Sequence, residues 1–154
     1  MIVVSNASPI TALLQVDRAD LLQRLFGEVL VPPSVHAELR RFHTAVPTFV
    51  RVQPLKDTAA SAALAGSLDL GEAEAIVLAQ EVKADYLLID ENKGRAVASE
   101  RGLRVIGLLG VLLLGRKSGL VDSVAHTIRE LESRARFFVS DAVKKVILKA
   151  AGEL

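Results

Sequence analysis

A chain of 154 residues is one domain's worth of sequence at roughly 100–200 residues per domain, enough to bury about two-thirds of its unfolded surface. Hydrophobic residues make up 51% and charged residues 24%, which excludes wholesale disorder. Lys plus Arg (19) nearly balance Asp plus Glu (18), so no global basic field advertises nucleic acid, and the absence of cysteine removes disulfides, thiolate zinc sites and thiol nucleophiles.

The chain opens MIVVSNASP, with no basic segment ahead of an apolar run, so no signal peptide is expected. Ile2 to Ser5 is apolar without alternation, as in a strand buried on both faces. Ser8-Pro9 reads as a helix cap with proline at the first helical position. A second helix from Asp20 ends at Gly27, and Val29 to Val31 is a short strand closed by Pro32-Pro33. Ser34 is expected to cap the next helix, followed by a strand over Phe49 to Leu55 and an Ala-rich helix over Ala59 to Leu64. Asp69 opens a helix through Ala79, Tyr86 to Ile89 is a strand ending at Asp90, and Asn92 to Arg101 is helical up to Gly102. Arg104 to Ile106 is a fifth strand, Leu108 to Leu114 an apolar helix, and Ser140 caps a last helix. The most apolar stretch, Val105 to Gly115, is shorter than the roughly 20 residues a membrane helix needs.

Strands separated by helices predict βαβ units, hence a three-layer α/β/α fold around a mainly parallel sheet of four to five strands with a helical C-terminal region. The expected organisation is one cytoplasmic domain over 1–154, its core at 1–110 and its C-terminal helices at 111–154. Right-handed crossovers bring the strand C-termini to one rim, where ligands of such sheets bind. No G-x-G-x-x-G, G-x-x-x-x-G-K-[ST] or G-x-S-x-G motif is present. The three histidines lack H-E-x-x-H spacing, and no D-x-D pair follows the first strand as a phosphohydrolase would require.

Carboxylates and one amide remain at the expected rim: Asn6, Glu38, Glu72 with Glu74, and Asp90 followed by Glu91. Oxygen ligands without thiolates suit Mg²⁺ or Mn²⁺, which activate water and neutralise charge in phosphodiester displacement. Each also has a structural explanation. Asp69-x-x-Glu72 is a capping-box pattern, Glu74 fits a solvated position or a dipole complement, Glu38 an exposed helix residue, and Asp90 the cap of the following helix.

The segments IVVSNASPI, VPPSVHAEL, LDLGEAEAIVLA, ADYLLIDENKGRAVA and GLRVIG stand in an order that resembles the PIN-domain family of nucleases, particularly its VapC-like, toxin-type branch. The resemblance covers most of 1–110. It implies a metal-dependent endoribonuclease of a toxin–antitoxin pair, with Asn6, Glu38, Glu72 and Asp90 as the four site positions and Glu38, Glu72 and Asp90 as the metal ligands. Ser8, Glu74 and Glu91 take secondary places. It also implies a homodimer, a small antitoxin partner and an RNA substrate, for which Lys93 and Arg95 are the candidate phosphate contacts. Asn6 departs from the family pattern, which has an acid there. An amide offers a carbonyl oxygen without charge, so the alternative is a catalytically weakened interaction or regulatory module. With 4% aromatic residues and no tryptophan, a base-stacking surface is not expected.

Overall fold

The run that lacks alternation becomes β1 (Val3–Ser5), the middle strand of a five-stranded sheet in the order β3-β2-β1-β4-β5, every pair parallel. Its partners are β2 (Val29–Val31) and β4 (Tyr86–Leu88), with Val4 opposite both Leu30 and Leu87. The edges are β3 (Val50–Val52) and β5 (Val105–Ile106). This computed structural model describes residues 1–154.

Strand side chains alternate between faces, and both faces are covered. Val3, Val29, Val31 and Leu88 belong to one core with residues of α1 (Ala7–Gln15), α2 (Asp20–Phe26), α3 (Pro33–Phe42), α7 (Leu108–Lys117) and α8 (Val124–Arg134). Val4, Leu87 and Ile89 pack on the other side against Ala75, Ile76, Leu78 and Ala79 of α5 (Leu70–Glu81) and Ala98 of α6 (Asn92–Glu100). The expected α/β/α arrangement is therefore present, completed by α4 (Thr58–Leu64) and α9 (Asp141–Ala150). No helix is long and apolar enough to cross a membrane.

Boundaries differ where proline and burial decide them. The third strand spans only Val50–Val52 instead of Phe49 to Leu55: it is a sheet edge, Arg51 and Val52 are exposed, and Pro54 has no N–H for a ladder. The first helix starts at Ala7, so Asn6 and not Ser8 holds the cap position. Pro32 occupies the cap of α3 with Pro33 at the first helical position, which moves Ser34 inside the helix. The leucines of α7 face inward: Leu108, Val111 and Leu112 are fully buried and Leu109, Leu113 and Leu114 pack against them.

Candidate functional site

The strand order reverses between β1 and β4, and connections leaving these two strands in opposite directions open a crevice at their C-terminal ends. Asn6 and Asp90 follow those two ends directly. The Asn6 backbone N–H donates to the Leu88 carbonyl at 3.0 Å, tying the strand ends together. The side chain makes no capping bond to α1. It is buried, with Oδ1 turned towards the start of α5, where a β-carbon on Gly71 would lie 3.3 Å from it.

Glu72 enters the crevice from the first turn of α5 and is 3% exposed. Both halves of the capping box form. The Glu72 N–H donates to Asp69 Oδ1 at 2.8 Å and the Asp69 N–H to Glu72 Oε1 at 3.4 Å. Its second oxygen, Oε2, is buried without a partner because α6 crosses close above it: a β-carbon on Gly94 would stand 2.8 Å away. Burial first, and then the neighbouring Asp69 carboxylate, push the Glu72 carboxyl up to about 7.

Asp90 does not cap the helix that follows it; Glu91 holds that position. Its Oδ1 accepts instead from the N–H of Leu108 at 2.8 Å, the first residue of α7. The cap residue of α7 is Gly107, which has no side chain to offer, so a carboxylate from the adjacent strand end supplies the acceptor and sits at the positive pole of the helix. A side chain at Gly107 would force its neighbours to shift. A β-carbon would lie 2.9 Å from Asp90 Oδ1 and 2.6 Å from Arg95 Nη1. Asp90 Oδ2 is buried and unpartnered. Burial raises the Asp90 carboxyl above its usual range, against the pull of the Leu108 N–H and of Arg95.

Of the remaining candidates, Glu91 stands close enough to help raise the Glu72 carboxyl, and Glu38 lies in clefts that Asp90 does not line. Glu38, half-buried on α3, lines a cleft of about 510 Å³ with Ser8, Thr11 and Arg136, and a second of about 340 Å³ with Arg41, Asp69 and Gly71. Asp90 lines a different cleft of about 590 Å³ with Asn92, Arg95 and Ile106. Phe137 borders both the Ser8 cleft and the Asp90 cleft. Ser8, Glu91 and Lys93 are exposed, while Arg95 is half-buried beside Asp90.

Glu74 has a structural role that neither a ligand nor a solvated position describes. Its Oε1 accepts from the Ser34 N–H at 3.0 Å, satisfying the start of α3, where Pro32 has no capping group. Glu74→Ala is expected to cost about 1 kcal/mol, as the loss of a helix cap does, while Glu74→Gln keeps the acceptor and most of that stability. Urea unfolding of the two variants checks the difference.

Nowhere do three or more Asp, Glu, His or Cys side chains converge closely enough to hold a metal ion. This overturns the expectation of Mg²⁺ or Mn²⁺ held by Glu38, Glu72 and Asp90, and with it the metal-dependent endoribonuclease built on that site. Physically, the first position is a neutral amide, Glu72 is engaged in a capping box, Asp90 holds the start of α7, and Glu38 opens towards Ser8 and towards Asp69 and Gly71 but not into the cleft that Asp90 lines. The hydrogen-bond partner of Asp90 is not legible from local spacing because Leu108 lies 18 residues downstream. The available signal was Gly107 standing between a strand and an apolar helix with no capping side chain.

A family model described as a PIN domain matches residues 2–153 of the chain. No curated protein and no solved structure matches it.

Proposed function

We propose that this chain, which belongs to the PIN-domain family, acts as an interaction or regulatory module built on the nuclease fold and not as a nuclease. One observation carries the reading: the acidic positions of the crevice are spent on helix starts, Asp90 on the Leu108 N–H and Glu72 on the Asp69 box, beside the uncharged Asn6. A crevice of this kind stabilises the scaffold and leaves the surrounding clefts for binding. The ordered motifs support the finer placement in the VapC-like branch, with a homodimer and a small antitoxin-type protein as partners. RNA phosphates, where bound, would meet Lys93 and Arg95 and be positioned without being cut. Residues 1–154 act as one unit in this reading, supported by a core that unites Val3 and Leu13 with Ile128, Leu131 and Ala151.

The test is calorimetric titration of the purified chain with Mn²⁺ into the millimolar range, together with incubation on structured and single-stranded RNA. No binding heat and no cleavage above a chelator-treated blank is the expected result, for the wild type and for Asn6→Asp alike. Chelator-sensitive cleavage by the wild type overturns the module reading.

A further inference from the structure

The last helix leaves one face without a partner. No residue within α9 is buried. Ile147 and Leu148 pack inward, whereas Val143 and Val146 are 43% and 67% exposed. Helical spacing puts Ala142, Val146 and Ala150 on one outward stripe with Val143 at its margin, and Lys145 and Lys149 along the other side. Phe138, 76% exposed, precedes the helix and lines the Asp90 cleft together with Val143 and Ile147.

The charges bordering this stripe are mainly basic, with Asp141 one turn before Lys145 as the exception. Lys144 is paired with Glu132 at 3.0 Å, whereas Lys145 and Lys149 are exposed and form no ion pair. The only acid on the helix is Asp141, in its first turn. We infer that the α9 face, from Phe138 through Val143 and Val146 to Lys145 and Lys149, docks an acidic amphipathic helix of a partner protein. Apolar side chains of the partner at i, i+3 and i+4 spacing cover the valine stripe, and glutamates or aspartates along its flank meet the two lysines. A second copy docked symmetrically through the same stripe would bring two pairs of lysines to one interface, which disfavours it. The inference rests on the module reading and names the chemistry of its partner.

The experiment uses the full chain and a labelled synthetic helix carrying leucines on one stripe and glutamates on the flank, with a second peptide in which every glutamate is lysine. Fluorescence anisotropy is expected to give a Kd of about 10–100 μM for the glutamate peptide and binding at least about tenfold weaker for the lysine peptide. The double variant Lys145→Glu/Lys149→Glu reverses that preference, and Val146→Asp weakens the glutamate peptide. Circular dichroism and unfolding midpoints of these surface variants stay at the wild-type values, which separates lost docking from lost folding. Equal binding of the two peptides, or none at about 1 mM, overturns the inference. So does dimerisation abolished by Val146→Asp, which assigns the face to a second copy. Co-sedimentation with phosphatidylcholine–phosphatidylserine vesicles abolished by the double variant assigns it to a lipid surface and also overturns it. The Mn²⁺ titration is independent of α9, so failure of the peptide experiment and failure of the module reading are told apart.

Discussion

Asp90→Ala is expected to lower the stability of this protein by about 2 kcal/mol, or about 4–8 °C in Tm for a chain of this length, while Asp90→Asn stays within about 1 kcal/mol of the wild type. The difference follows from what each substitution removes. Alanine leaves the N–H of Leu108, a fully buried residue, without an acceptor at the start of α7, and an orphaned buried donor bears its full desolvation penalty. Asparagine keeps Oδ1 as the acceptor and discards a charge that burial already disfavours. Thermal unfolding of the two variants decides the matter. Equal losses would show that charge, and not the hydrogen bond to Leu108, is what Asp90 contributes.

Glu72 makes stability fall as pH rises, opposite to the usual carboxylate behaviour. Its carboxyl is raised from 4.5 to about 7 in the folded chain, by burial and then by Asp69. Between those values the folded state binds the proton that the unfolded state has lost, so unfolding becomes easier with increasing pH. The stabilisation is complete below about 4.5 and is lost as pH passes 7, by an amount on the order of 1–2 kcal/mol. This is less than full linkage because Asp69 and Glu91 are exposed and act through screened solvent. Glu153 and Glu132 run the other way. The N–H groups of Val124 and Ala125 hold the Glu153 carboxyl down against burial, and Lys144 with the Val139 N–H lowers Glu132, so both contribute above their unfolded values and lose that contribution in acid. The measurement is therefore the difference between wild type and Glu72→Gln in urea unfolding from pH 4 to pH 8. Glutamine preserves the capping box and carries no proton to exchange. A difference that does not change with pH would place Glu72 in solvent.

The two results together would explain why the acids of the crevice do not gather into a metal-holding cluster. Carboxylates that are buried and raised, each with one oxygen engaged by a backbone donor, keep helix starts in place. Although Asp69 and Glu91 stand near Glu72, no three acids converge closely enough to hold a metal ion. Glu38 is carried by α3, whose start is held by Glu74, and it opens towards Ser8 and Gly71 and not towards Asp90.

Local chemistry was sufficient to write much of this architecture in advance. Apolar runs without alternation marked β1 and β4 as strands covered on both faces, because only such positions exclude polar residues from both sides. Asp69 and Glu72, three apart, determined a capping box that the structure contains, and Gly27 and Gly102 ended their helices with φ of 77° and 78°, conformations that side chains with a β-carbon resist. The order of short motifs carried the family. What the crevice does was decided elsewhere, since convergence of side chains from residues 6, 38, 72 and 90 depends on how four helices lie on one sheet edge. Hydrogen bonds such as those from the Leu108 N–H to Asp90 and from the Ser34 N–H to Glu74 join segments 18 and 40 residues apart. Spacing along a chain reports which groups are neighbours on one element, whereas the partner of a buried carboxylate is whichever backbone donor packing brings against it. Only the tertiary structure makes that choice.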